Sequence, residues 1–98
     1  MKLTKKDISN IESLGWSIEK DDLGCYTLEN YSPAGGDMVL ENIETKEQLI
    51  EACENYDAEE EFSVWYNARN GEPQNPGELW EDCLEKGKMY TELANVLK

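Results

Sequence analysis

The sequence predicts an α+β fold, with a short N-terminal helix, a three-stranded antiparallel meander, and two or three following helices packed on it. Three observations carry that expectation. Apolar residues recur at helical spacing at Ile8, Ile11 and Leu14 and again from Leu49 onward, they alternate with a period of two between Trp16 and Ile43, and each change of period coincides with capping or turn-forming residues. No linker, internal repeat or low-complexity tract divides the chain, so residues 1–98 read as a single acidic domain.

At the N-terminus, the Thr4 hydroxyl can accept from the amide three residues on, Asp7 can reach back, and Leu3 can pack on Ile8. This capping box predicts a helix over residues 5–14, closed by Gly15, where a left-handed residue is most easily placed. Trp16 and Ile18, Tyr26 and Leu28, and Met38 and Leu40 then mark three strands. Asp21-Asp22-Leu23-Gly24 separates the first two, and Ser32-Pro33-Ala34-Gly35-Gly36-Asp37 the second from the third; both tracts hold turn formers. The register stays open, because Cys25, Thr27 and Val39 make the opposite face partly apolar as well.

Thr45 with Gln48 forms a second capping box, starting a helix that reaches about Tyr56 with Leu49, Ile50 and Cys53 on its packing face. Asp57 can cap the next helix, whose first turn gathers Glu59, Glu60 and Glu61 at the positive end of the dipole. Phe62, Trp65 and Tyr66 give that helix a broad packing face, more suited to core than to an exposed patch, until Asn70-Gly71 stops it. Asn75, Pro76 and Glu78 open a C-terminal helix whose phase runs through Leu79, Cys83, Tyr90, Leu93 and Leu97. Gly87 in its interior costs about 1 kcal/mol relative to alanine, so one helix or two remains open over residues 76–97.

The chain has 22 acidic and 9 basic residues, a formal charge of −13 and no histidine. That balance argues against direct contact with nucleic acid or anionic lipid, which a lysine- and arginine-rich stripe normally makes. No window approaches the roughly 18 consecutive apolar residues of a membrane span, and no signal-peptide core is evident, so a cytoplasmic location is expected. Cys25, Cys53 and Cys83 are odd in number and far apart, which predicts buried reduced thiols in place of a zinc site or disulfide framework.

Without histidine the commonest general base is missing, and Ser-His or Cys-His nucleophile pairs are excluded. A carboxylate pair could serve a glycosidase, but among 22 acids some pair always lies at a usable distance, so the signal has no specificity. Asp21-Asp22-Leu23-Gly24 lacks the alternating ligands and terminal glutamate of a calcium loop, and Gly35-Gly36 lacks the lysine of a phosphate loop. No catalytic residue, cofactor or metal ligand is expected, and the protein reads as a non-enzyme.

The charge is unevenly placed. Residues 1–20 sum to +1, 21–40 to −4, 41–61 to −8 and 62–98 to −2. Glu44, Glu47, Glu51 and Glu54 line one helical face about 15 Å long, and Asp57, Glu59, Glu60 and Glu61 follow at once. These eight residues are the candidate partner-binding surface. Acidic faces are commonly only solvated faces that keep a small protein soluble. The sharper reading is a row of carboxylates that imitates nucleic acid and occupies the basic groove of a DNA- or RNA-binding protein. The alternative is a small accessory domain that binds through aromatic and loop residues such as Tyr31, Pro33, Trp65 and Tyr66.

The tract Tyr31-Ser32-Pro33-Ala34-Gly35-Gly36-Asp37 resembles one found in short acidic proteins carried by bacterial phages and conjugative elements. Such proteins include anti-restriction and anti-CRISPR inhibitors, several of which imitate nucleic acid in their charge layout. The resemblance implies a mobile-element accessory protein and assigns no functional residue. The expected partner is therefore a protein with a basic surface, including one that itself binds nucleic acid.

Overall fold

Local capping sets both ends of the first helix. In the computed structural model, which describes residues 1–31, 37–68 and 75–98, the Thr4 hydroxyl accepts from the Asp7 amide at 3.1 Å and Asp7 accepts from the Thr4 amide at 2.9 Å. This fixes α1 (Lys5–Ser13), which Leu14 caps and Gly15 leaves at φ +95°. Then follow β1 (Ser17–Lys20), β2 (Tyr26–Tyr31), β3 (Asp37–Ile43), α2 (Lys46–Glu54), α3 (Ala58–Ala68) and α4 (Pro76–Leu97). The fold is α+β.

The strands form an antiparallel sheet in the order β1-β2-β3. Ile18 stands opposite Leu28, and Leu28 opposite Leu40, which settles the register. The inner face therefore carries Ile18, Tyr26, Leu28, Met38, Leu40 and Ile43 into the core. Between the pairs Leu28–Leu40 and Tyr26–Ile43, β3 supplies Glu41 and Asn42 against Thr27 alone. That extra residue is a bulge, and Asn42 sits in it at φ +58°, a region asparagine tolerates better than most side chains.

α4 is the spine. Its 22 residues span about 33 Å, and its two halves do different work. Tyr90, Leu93, Ala94 and Leu97 join the main core with Leu3, Ile11, Trp16, Leu28, Met38 and Leu49. Leu79 and Cys83, in the first half, form a separate small cluster with Ala58, Phe62 and Trp65 of α3. The molecule is accordingly elongated, 43 × 24 × 19 Å, with a body at one end and a two-helix arm at the other.

Gly87 does not divide α4. A Cβ at this position would lie 3.2 Å from Cε2 of Tyr56, so its absence lets that ring lie against the helix. Tyr56 itself follows α2, which ends at Glu54 with Asn55 as its cap, two residues short of the expected end. Its hydroxyl donates to the Cys83 carbonyl at 2.7 Å and its ring packs on Tyr90 at 5.0 Å.

Two further expectations need correction. Cys53 and Cys83 are buried free thiols, but Cys25 is only partly covered, because it closes the Asp21 turn and its thiol faces Glu44 at 3.8 Å. Of the tryptophans, Trp16 alone is fully buried, because two helices cannot enclose Trp65 and Trp80 from all sides. The expected turn over 32–36 and the helix stop at Asn70-Gly71 lie outside the described residues. Among the described residues no helix is long and apolar enough to cross a membrane.

Candidate functional site

α2 displays its acids because the Thr45 cap fixes the phase of the helix. The Thr45 hydroxyl accepts from the Gln48 amide and Gln48 accepts from the Thr45 and Glu44 amides, so Leu49 and Cys53 turn to the core. Glu47, Glu51 and Glu54 consequently face solvent. Counter-ions reach two of them. The N-terminal ammonium lies 2.9 Å from Glu47 and pulls its carboxyl below the ordinary value, and Lys98 lies 3.5 Å from Glu54. Glu51 is left without an ion pair among the described residues.

Asp57 caps α3 by accepting from the Glu59 amide at 2.9 Å and the Glu60 amide at 3.4 Å, which orients the first turn. Glu59 and Glu60 project into solvent. Glu61 turns the other way. It lies 2.6 Å from the Lys86 ammonium of α4 and accepts from the Trp65 indole at 2.9 Å. Burial raises its carboxyl pKa, but the hydrogen bonds from Lys86 and Trp65 outweigh that and hold it below the ordinary value. The eight candidate residues are thus split: Glu44, Glu51, Asp57, Glu59 and Glu60 carry no ion pair among the described residues, while Glu47, Glu54 and Glu61 are paired.

The same partition occurs at the start of α1. Asp7 is the one buried charged side chain among the described residues, and Lys46 reaches it from α2 at 3.0 Å. Desolvation pushes its carboxyl up, and Thr4 with Lys46 more than compensates, so it is held below the ordinary value. Lys46 and Lys86 are therefore spent internally, joining α2 to α1 and α4 to α3. They do not neutralise the surface.

The outer face of the sheet carries acids that a linear reading of the sequence passes over. Glu19, Glu29, Asp37 and Glu41 are exposed there, with Thr27 and Val39 between them and no lysine or arginine at the facing positions. Glu29 stands opposite Ser17 on one side and Val39 on the other. It is thus a diagonal neighbour of Glu19, with diagonal spacings of about 7 to 8 Å. The available signal was the alternation itself, since these acids occupy the positions between the inward-facing residues.

The arm holds a group of half-buried aromatic side chains beside two exposed aliphatic ones. The Phe62 ring meets Trp80 edge-on at 5.9 Å and stacks on Tyr66 at 5.7 Å. No residue of α3 is fully buried, and Val64 and Leu84 are 58% and 47% exposed. Of the residues of the alternative reading, Trp65 packs inward on Cys83 and Leu79, Tyr66 flanks Phe62, and Tyr31 stands 81% exposed at the sheet end. Pro33 lies outside the described residues.

Among the described residues no group of three acid or cysteine side chains converges as metal ligands would. An open hollow of about 280 Å³ borders Gly15, Ser17, Glu29, Asn30, Tyr31 and Asp37. No protein-family model matches the chain, and no match was found among curated proteins or solved structures.

Proposed function

We propose that this chain is a non-enzymatic binding protein that engages a basic protein surface, as an inhibitor or regulator of a DNA- or RNA-binding protein. One observation carries the reading. The lysines best placed to neutralise α2 and α3 are drawn into structural pairs with Asp7 and Glu61, while Glu51, Glu59 and Glu60 and the outer sheet acids Glu19, Glu29 and Glu41 face solvent without an ion pair among the described residues. A surface so charged accelerates encounter with a cationic partner and repels nucleic acid itself. The resemblance of the Tyr31–Asp37 tract to mobile-element proteins points the same way.

Capture from a bacterial lysate at low salt, followed by elution in a salt gradient and then with duplex DNA or RNA, tests the reading. Nucleic-acid-binding proteins should elute, and added nucleic acid should displace them by competing for the same groove. Capture that neither salt nor nucleic acid reverses contradicts it. The charge reversals to use are Glu51→Lys, Glu59→Lys and Glu60→Lys, because reversing Glu47 or Glu54 would also break an existing ion pair.

A further inference from the structure

We propose that the aromatic side of the α3–α4 arm is a docking seam for a cationic amphipathic helix of the partner; this deepens the function proposed above and rests on its basic partner. The seam is continuous. Tyr66 and Phe62 lie one helical turn apart on α3 and are stacked, Phe62 meets Trp80 of α4, and Leu84 stands one turn beyond Trp80 on the same side. All four are incompletely covered, and Leu84 is 47% exposed.

The arm is under-enclosed for its content. Among its described residues only Leu79 and Cys83 are fully buried, and α3 has no fully buried residue despite three aromatic side chains. An 11-residue helix is marginal without tertiary packing. A third helix laid along the seam would complete a three-helix layer and cover the four side chains, in the manner of helix-in-groove recognition.

Charge selects the occupant. The arm exposes Glu59, Glu60, Glu78 and Glu81, and Glu85 with Lys88 at 4.0 Å, while Lys86 is already held by Glu61. A second copy of the chain would bring the same carboxylates against these, and nucleic acid or an anionic bilayer would be repelled outright. A helix with leucine-like anchors flanked by lysine or arginine matches both features. Its apolar anchors would give it weaker salt dependence than a purely electrostatic ligand.

The probe is a synthetic leucine–lysine peptide with its leucines on one helical face, titrated into the ¹⁵N-labelled full chain at about 0.15 M salt. Oligolysine of equal charge is the comparator. The amide shifts should concentrate at Phe62, Tyr66, Trp80 and Leu84, oligolysine should bind more weakly, and Leu84→Arg should lose about tenfold in affinity or more. Leu84 is exposed enough for that variant to keep its circular dichroism spectrum, and shift mapping on the unaltered protein needs no variant. If both ligands bind equally and move only amides of α2 and the sheet, the seam is overturned and the acidic-surface reading stands. If neither binds, both fall.

Discussion

The body and the arm are built from one helix, yet they bury their side chains to very different depths. In the body, α1, the sheet, α2 and the second half of α4 enclose Ile11, Leu28, Leu49 and Leu93 completely. In the arm, the first half of α4 packs on α3 and receives the Tyr56 hydroxyl at its Cys83 carbonyl, and among the described residues there Leu79 and Cys83 alone are fully covered. The difference shows what a third packing layer supplies: a helix with one neighbour can hide one stripe, and aromatic residues flanking that stripe stay accessible. Trp16, Tyr90 and Tyr56 form an aromatic chain that joins the two regions, with ring separations of 6.0 and 5.0 Å.

Core truncation separates the regions most strongly. Leu28→Ala should cost about 2 to 5 kcal/mol and unfold the whole chain in urea, while Phe62→Ala, at a partly buried position, should cost about 1 to 2 kcal/mol and leave the body's transition in place. Equal losses at the two sites would erase the distinction between body and arm.

The bulge and the joint give the next largest effects. Asn42→Val should cost about 1 to 2 kcal/mol because a β-branched residue resists φ +58°, whereas Asn42→Gly should be close to neutral in the same thermal melt. Gly87→Ala should destabilise by about 1 kcal/mol, reversing the usual helix-propensity gain, because the added carbon would press on a Tyr56 ring tethered to the Cys83 carbonyl. Gly77→Ala, whose Cβ would meet, among the described residues, only the Asn75 side-chain oxygen at 3.5 Å, is the control and should show no such loss.

Acid titration gives the smallest effect and sharpens the role of the ion pairs. Asp7 and Glu61 both have lowered carboxyl pKa values, so their contribution is complete above the unfolded values near 4 and is lost as pH falls through the folded ones. Urea midpoints should therefore be flat between about pH 7 and 5 and decline below about 4, and Glu61→Gln should reduce the acid-dependent part of the arm's stability. A decline already complete at pH 5 would contradict the pairing.

The elements were legible wherever the cause is local. Thr4 with Asp7, Thr45 with Gln48, and Asn75 with Glu78 start helices through contacts three residues apart, and the sequence pattern places all three correctly. The ion pairs were not legible, because Lys46 and Asp7, or Lys86 and Glu61, meet only after the chain has folded. Gly87 looked like a helix defect for the same reason, its justification being a ring contributed from before α3. The acidic surface was half legible: the helical acids stand in a visible run, while Glu19, Glu29 and Glu41 gather on one face only through strand register.

Native-state hydrogen exchange on the free protein, followed amide by amide in increasing denaturant, tests the body-and-arm account most directly. The account predicts that the amides of α3 and of Leu79 to Leu84 open at lower free energy than those of Leu28 and Leu93, in a sub-global step that leaves the body protected. A single common opening energy across both regions would contradict it.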